Sequence, residues 1–168
     1  MNDSDLSPMG QLAVETAKQG VKIFPINPVT KKPYPNFSGW PELATNDLKS
    51  IREWWIIRPE AMIGALTGEP NGFFVLDIDV GDGKQGLKSL AALERVYGEL
   101  PATMVVRTPS GGLHFYFQMP EGADIRNSAS GIAEDIDVRG TGGYIAFAGS
   151  QRHDGKYEIV EDWRAQCL

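Results

Sequence analysis

The chain has 168 residues, of which 42% are hydrophobic, and this is enough for one globular domain with a buried core. Its formal net charge of −6 argues against a protein that coats DNA through a broad basic surface. Its single cysteine, Cys167, excludes a disulfide framework and a cysteine-based zinc site, so we expect no structural zinc.

The first half of the chain carries apolar residues at helical spacing, with glycine and proline placed where helices would end. No apolar run approaches the roughly 18 residues needed to cross a bilayer, so we expect a cytoplasmic protein that does not enter a membrane. The predicted segments are a helix from Met9 that ends near Gly20, a strand over Val21–Ile26, a proline-rich surface loop with Lys31 and Lys32, a helix from Leu48 that Pro59 closes, and a helix over Leu87–Tyr97.

A run of apolar and β-branched residues, FFVLDIDV (73–80), precedes the last of these helices. Only two aspartates interrupt it, which predicts a central strand buried on both faces. From Thr103 onward the pattern is that of strands separated by turns, in the runs TMVVRT, GLHFYFQM, EDIDVRG, GYIAFAG and KYEIVE. Helices in the first half and strands in the second predict an α+β fold with a mixed or antiparallel sheet, and we expect the active site between the two parts.

Asp77 and Asp79 lie two residues apart on the predicted strand, so their side chains leave the same face. Two like charges in an apolar strand are costly unless a cation or a hydrogen-bond network compensates them. Hard oxygen ligands in this arrangement suit Mg²⁺ or Mn²⁺ that bridges to a substrate phosphate. The pattern alone is equally typical of a strand that ends at Leu76 and opens into a solvated turn.

The run TPSGGLHFYF combines a tight turn with a histidine. The backbone amides of Ser110, Gly111 and Gly112 can approach an anion, and His114 shares a strand face with Tyr116 directly after the turn. This indicates a contact with a triphosphate. Taken alone, the run is more typical of an ordinary hairpin with a half-buried histidine.

In EDIDVRG, the charged residues Asp135, Asp137 and Arg139 alternate with apolar residues, so one face of the strand is acidic, acidic and basic. That face can supply a further metal carboxylate and a phosphate-binding arginine. An amphipathic strand with an ion pair across one face explains the pattern equally well.

In this order, the three motifs resemble those of the N-terminal domain of bifunctional DNA primase/polymerases, the prim-pol branch of the archaeo-eukaryotic primase superfamily. The resemblance covers about residues 12–160. It implies a prim-pol fold in which a helical, αβ N-terminal part packs on a β-rich, RRM-like part, with the active site in the cleft between them. It also implies that residues 1–168 form a single catalytic domain, and we expect them to be a fragment of a longer replication protein.

The activity implied by this resemblance is template-directed nucleotidyl transfer, as a DNA primase and DNA-directed DNA polymerase that uses two Mg²⁺ or Mn²⁺ ions. The implied partners are template and primer DNA, dNTPs or NTPs, and a helicase domain or other replication proteins. The implied catalytic and metal-binding carboxylates are Asp77, Asp79 and Asp137, with Asp135 only a neighbour. The implied triphosphate contacts are Ser110, Gly111, Gly112 and His114, with Arg139, Lys32 and Arg107 as further candidates.

One segment departs from the family pattern. Relatives carry two prolines before the serine that follows the third motif, whereas this chain has Ala148, Gly149 and Ser150. The rigid proline turn of the family, and a nucleotide contact by Ser150, are therefore not predicted here.

The sequence leaves other functions open. A non-catalytic nucleotide-binding or nucleic-acid-binding module would keep the fold and rely on partners for chemistry. A metal-dependent phosphoesterase or nuclease would use the same carboxylates with water as the nucleophile. An α+β domain whose motifs are coincidental turns is the remaining alternative.

Overall fold

The computed structural model describes residues 2–164, so Cys167 lies outside the described residues. The α-helices of this part are α1 (Pro8–Lys18), α2 (Trp40–Leu43), α3 (Leu48–Ile57) and α4 (Gly86–Tyr97). The strands are β1 (Ile23–Ile26), β2 (Met62–Leu66), β3 (Phe73–Ile78), β4 (Val80–Gly81), β5 (Lys84–Gln85), β6 (Met104–Arg107), β7 (Leu113–Gln118), β8 (Ser128–Ala133), β9 (Ile136–Arg139), β10 (Tyr144–Ala146), β11 (Gln151–Arg152), β12 (Gly155–Lys156) and β13 (Glu158–Val160).

The three predicted helices are confirmed as α1, α3 and α4. At the start of α3, the Asp47 carboxylate accepts a hydrogen bond from the Ser50 amide at 2.9 Å, which satisfies an amide that the helix itself leaves unpaired. Trp55 is fully buried, and its indole donates a hydrogen bond to the Ala61 carbonyl at 2.9 Å. Its place is therefore in the core. Across residues 2–164, no helix combines the length and the apolar character that a membrane crossing requires.

The smaller of the two main sheets is antiparallel, with the strand order β1-β2-β10. Its central strand, β2, is fully buried and was not predicted from the sequence. Gly64 allows this strand to pack closely, because a Cβ atom there would lie 2.8 Å from side-chain atoms of Ile26 and Phe24. With α1 and α3, this sheet forms the larger apolar core.

The larger sheet has six antiparallel strands in the order β13-β6-β7-β3-β9-β8. The predicted central strand is confirmed as β3, and so is its burial on both faces, because Val75 and Ile78 leave opposite faces of the strand and are both fully buried. Asp77 shares the face of Val75 and lies beside polar groups there. The second apolar core, which includes Leu90 of α4, lies on the side of the sheet that carries Ile78.

The two halves of the chain interleave, although the sequence predicted helices first and strands second. Strand β3 from the first half pairs with β7 and β9 from the second, while β10 from the second half pairs with β2. The α+β class with a large antiparallel sheet is confirmed, whereas the RRM-like arrangement stays a prediction.

Several short elements differ from the predicted ones. The proline-rich segment contains α2 and a 3-10 helix over Pro35–Phe37, and the GDGKQG turn is the β4–β5 hairpin. Asp135 has a φ of 58° and precedes β9, so it does not share the strand face of Asp137 as the alternation predicted. The Asp135 carboxylate instead accepts a hydrogen bond from the Gln85 amide at 2.7 Å, a contact with a distant part of the chain.

Candidate functional site

The polar centre of the six-stranded sheet is a row of three residues on neighbouring strands. Asp77 of β3 lies directly opposite His114 of β7 on one side and directly opposite Asp137 of β9 on the other. Directly opposed residues of antiparallel strands share a face, so the three side chains leave the sheet together. Residues 77, 114 and 137 are far apart in the sequence, and strand pairing alone brings them to one point.

Arg139 links the two aspartates of this row. Its Nη2 lies 2.7 Å from Asp137 Oδ2 and 3.4 Å from Asp77 Oδ2. Burial alone would raise the pKa of Asp77, but the hydrogen bond from His114 and the nearby Arg139 outweigh that effect and hold the pKa below its usual value. Asp77 is therefore a buried carboxylate that the fold keeps ionised.

Asp79 follows directly after β3 and is turned toward solvent more than Asp77 is. Its carboxylate pairs with the Lys84 ammonium on the β4–β5 hairpin, with 2.6 Å between Oδ2 and Nζ. The Asp79 side chain is about one third exposed, so this pair lies in a wet environment where ion pairs are weak. Asp79 is thus free to turn at little cost.

The donor set suits a hard divalent cation, because Asp77, Asp79 and Asp137 offer only carboxylate oxygens. In the conformation described, however, no group of three or more His, Cys, Asp or Glu side chains among residues 2–164 is arranged to hold a metal ion. The arrangement explains why: Asp79 is engaged with Lys84, and Arg139 stands between the other two. The opposed carboxylates of Asp77 and Asp137 and the rotatable carboxylate of Asp79 beside them are nevertheless chemically suited to bind the predicted ions.

The serine-glycine turn joins β6 to β7 beside this row. Gly111 has a φ of 90°, which favours glycine, and its amide donates to the Thr108 carbonyl at 2.9 Å. No backbone carbonyl of residues 2–164 accepts a hydrogen bond from the Ser110 or Gly112 amide. A Cβ atom on Gly112 would lie 2.6 Å from the Ile78 carbonyl oxygen, so only glycine lets the turn approach the end of β3 this closely.

His114 is buried at the centre of the site. Its Nε2 lies 3.3 Å from Asp77 Oδ1, while its Nδ1 is buried without a hydrogen-bond partner in the described residues. The ring lies 5.7 Å from the Tyr157 ring, centroid to centroid. His114 is therefore held by Asp77 on one side and by an aromatic neighbour on the other, with one nitrogen left for a further partner.

A cavity of about 320 Å³ opens over these residues, with walls from both main sheets. The wall on the side of the six-stranded sheet is polar and includes Asp77, Asp79, Ser110, His114 and Arg139. On the wall from α2 and the smaller sheet, the Trp40 and Tyr144 rings meet edge to face at 4.9 Å. Asp137 adjoins the cavity through Arg139, which lines it.

Four of the seven predicted triphosphate contacts are not among the residues that line the cavity, namely Gly111, Gly112, Lys32 and Arg107. Lys32 is exposed, and it is the preceding residue, Lys31, that lines the cavity. Arg107 lies opposite Leu113, so it shares that residue's face of the sheet and points away from the side that carries His114. Its Nη2 is buried there without a hydrogen-bond partner among the described residues.

The turn that lacks the family prolines is held by hydrogen bonds. The Gly149 amide donates to the Tyr157 carbonyl at 2.7 Å, and Gly149 has a φ of 87°. Ser150 is fully buried, and its hydroxyl accepts a hydrogen bond from the Ile63 amide at 3.1 Å. Ser150 is therefore a structural residue that ties the turn to β2.

Other cavity residues were missed by the sequence analysis. Their signal was weak, because Trp40 and Tyr144 resemble ordinary core aromatics and Arg152 resembles a surface charge in a short hairpin. Long-range packing places them beside the motifs, by strand pairing for Tyr144 and by side-chain and hairpin contacts for Trp40 and Arg152. The cavity residues outside the predicted set include Lys31, Trp40, Asn127, Tyr144, Arg152 and Tyr157.

A family model described as bifunctional DNA primase/polymerase, N-terminal, matches residues 13–167. No curated protein matches the chain. The family match covers all three motifs and both main sheets.

Proposed function

The chain belongs to the family of bifunctional DNA primase/polymerase N-terminal domains, and from that membership we propose that it joins nucleotides on a DNA template in DNA replication, as a primase and polymerase. The observation that carries the proposal is the direct opposition of Asp77 and Asp137 beside a cavity with one polar wall and one wall that carries aromatic rings. A nucleotide has the matching chemistry, with an anionic phosphate chain at one end and a planar base at the other.

Asp77, Asp79 and Asp137 would hold two Mg²⁺ or Mn²⁺ ions. When bound, these ions would neutralise charge on the triphosphate and lower the pKa of the attacking 3′-hydroxyl. Asp77 suits this role because its low pKa keeps it ionised despite its burial. Asp79 suits it because its exposed pair with Lys84 costs little to break.

The triphosphate would lie along the row of polar groups beside the carboxylates. The free amides of Ser110 and Gly112 can donate to phosphate oxygens without loss of any hydrogen bond within the turn. His114 lines the cavity with its ring fixed by Asp77, so it would contact the phosphates from a defined position. Arg139 lines the cavity beside the carboxylates, so its guanidinium fork would face the same phosphates.

The nucleoside would lie against the wall that carries Trp40 and Tyr144. The Tyr144 hydroxyl donates to the Lys31 carbonyl at 3.2 Å, which fixes its ring against Trp40. Trp40 in turn stacks on Phe24, with 5.5 Å between centroids. A rigid aromatic wall orients a base or sugar at low entropic cost.

Template binding would draw on further protein surface. The net charge of −6 does not favour a broad phosphate-binding face on this chain. We therefore expect neighbouring segments, a helicase domain or other replication proteins to add contacts to DNA. We expect the protein to act in the cytoplasm.

The decisive experiment is extension of a 5′-labelled primer on a DNA template with dNTPs and either Mg²⁺ or Mn²⁺. Asp77→Asn is the test variant. Asp124→Asn is the control, because Asp124 is exposed, pairs with Arg126 and lies outside the cavity. We expect the unchanged chain and the control to extend the primer. The rate of extension by Asp77→Asn should be at least about a hundredfold lower.

Other outcomes assign the alternatives. Nucleotide binding without extension in any condition would favour a non-catalytic binding module. Shortening of the labelled strand without added nucleotides would favour a nuclease. Equal extension by Asp77→Asn and the unchanged chain would refute the assignment of this site.

A further inference from the structure

Arg152 is a cavity residue that none of the three motifs includes. It ends β11, and its side chain is only 12% exposed. One end of its guanidinium is paired, with 2.7 Å between Nη2 and Asp154 Oδ2. The Tyr157 hydroxyl is a further hydrogen-bond neighbour of the guanidinium, while the buried Nε has no acceptor in good geometry among the described residues. Arg152 is thus a largely buried cation at the cavity wall whose donors the chain does not fully use, which favours an anionic ligand in the cavity.

We propose that Arg152 binds the terminal phosphate of the nucleoside triphosphate. The inference rests on the proposed function, since it identifies the residue that recognises the far end of the same substrate. An arginine offers a planar fork of donors that matches two phosphate oxygens, and such charge-assisted pairs are among the strongest hydrogen bonds in proteins.

The fold brings Arg152 to the phosphate-binding turn. The β11–β12 hairpin packs against Pro109, because a Cβ atom on Gly155 would lie 3.1 Å from the Pro109 Cβ. Pro109 directly precedes Ser110, whose amide is free. Arg152 and Ser110 of the turn therefore line the same cavity from two separate hairpins.

The order of side chains gives Arg152 its place along the substrate. Asp77 contacts His114, the His114 ring lies against Tyr157, and Tyr157 lies beside the Arg152 guanidinium. Along this series of contacts, His114 and Tyr157 thus separate Arg152 from Asp77. In the proposed reaction the α-phosphate lies at the metal-binding carboxylates, so the position beyond His114 suits the terminal phosphate.

The charges of the site also favour Arg152 for this role. The Arg139 guanidinium is already shared by two aspartates, and Lys84 is paired with Asp79. The partner of Arg152, Asp154, is 41% exposed. Asp154 can turn into water when a phosphate takes its place, so it acts as a weak internal competitor of the nucleotide.

The experiment measures binding of dATP and dADP in the presence of Mg²⁺ by calorimetry, without DNA. For Arg152→Gln we expect dATP affinity to fall about tenfold or more while dADP affinity changes little. Arg126→Gln is the matched control, because Arg126 also pairs with an aspartate two residues away but lies outside this cavity. Arg152→Lys should restore part of the preference for dATP. Asp154→Asn should bind dATP a few-fold more tightly, since the competitor is gone.

An unchanged ratio of dATP to dADP affinity in Arg152→Gln would overturn the inference. A loss of dATP affinity in Asp154→Asn as large as that in Arg152→Gln would overturn it as well, because the pair would then have only a structural role. These readouts are independent of primer extension. Failure of the unchanged chain to extend a primer would count against the proposed function, whereas a lost preference for the triphosphate specifically in Arg152→Gln would still support this contact.

Discussion

Asp77 and Asp137 lie directly opposite each other on β3 and β9, and one guanidinium, that of Arg139, reaches a carboxylate oxygen of each. The like charges are thus compensated within the fold, and the low pKa of Asp77 is the consequence. If repulsion between the two carboxylates were not compensated, Asp77 would destabilise the folded protein. The contacts of Asp77 with His114 and Arg139 indicate the opposite.

Replacement of Asp77 by alanine should therefore lower the free energy of unfolding by about 1–3 kcal/mol, because His114 and Arg139 each lose a buried partner. Urea unfolding in the presence of EDTA measures the change. Asp79→Ala is the comparison, and its effect should stay within about 0.5 kcal/mol, since its ion pair is exposed. A more stable Asp77→Ala protein would show that repulsion dominates after all.

Arg139→Gln should make the stability of the protein more dependent on divalent ions. Without the guanidinium, Asp77 and Asp137 face each other without their shared cation, and a bound Mg²⁺ then relieves more repulsion than in the unchanged chain. Thermal unfolding at increasing Mg²⁺ should show a rise in Tm about 2–4 °C larger than that of the unchanged chain. Arg126→Gln, which removes an exposed guanidinium, should respond to Mg²⁺ as the unchanged chain does. Equal responses of all three proteins would argue against an ion at these carboxylates.

The N-terminal segment gives a prediction for acid pH. Hydrogen bonds from Arg52 and then Lys18 lower the pKa of Asp3 from 3.8 to about 2. A lowered pKa in the folded protein contributes stability that is present above pH 3.8 and is lost as the pH falls toward 2. The difference in urea midpoint between the unchanged chain and Asp3→Asn should therefore be largest near neutral pH and shrink between pH 4 and pH 2. A difference that is constant over this range would show that charge on Asp3 does not contribute.

The Gly112 position tests how closely the turn must approach β3. Gly112→Ala would place a Cβ atom 2.6 Å from the Ile78 carbonyl, so the turn has to move away. We expect a loss of about 1–3 kcal/mol in unfolding free energy and weaker dATP binding. Gly39→Ala is a suitable control, because its new Cβ meets only the flexible Leu43 side chain, at 3.7 Å. Unchanged dATP binding in a correctly folded Gly112→Ala protein would separate the turn from the nucleotide.

The sequence predicted the local features of this fold and missed its long-range pairings. Helical spacing and capping residues located α1, α3 and α4, because a helix depends on residues three and four positions apart. Strand β2 was missed, since a short apolar run is compatible with several structures. The position of β3 between β7 and β9 is set by partners at least 35 residues away, and nothing in its own sequence specifies them.

The same distinction applies to the site. The motifs identified Asp77, His114 and Asp137 as candidates, but their alignment on one row follows from strand register. Register also places Arg107 on the other face, although it is only seven residues from His114 in sequence. Arg152 joins the site through hairpin packing against Pro109, which no local pattern could indicate.

The aromatic wall of the cavity, formed by Trp40 and Tyr144, gives a prediction that separates nucleoside contacts from phosphate contacts. Trp40→Ala should raise the KM for a dNTP several-fold, because the base or sugar loses its wall, while binding of inorganic triphosphate stays unchanged. Tyr144→Phe retains the ring that meets Trp40 and removes only the hydrogen bond to Lys31, so its KM should change less than twofold. Primer extension gives the KM, and competition by inorganic triphosphate measures the phosphate contacts alone. If Trp40→Ala weakened the binding of the dNTP and of inorganic triphosphate equally, the aromatic wall would act by supporting the cavity as a whole. The nucleoside would then have to lie elsewhere.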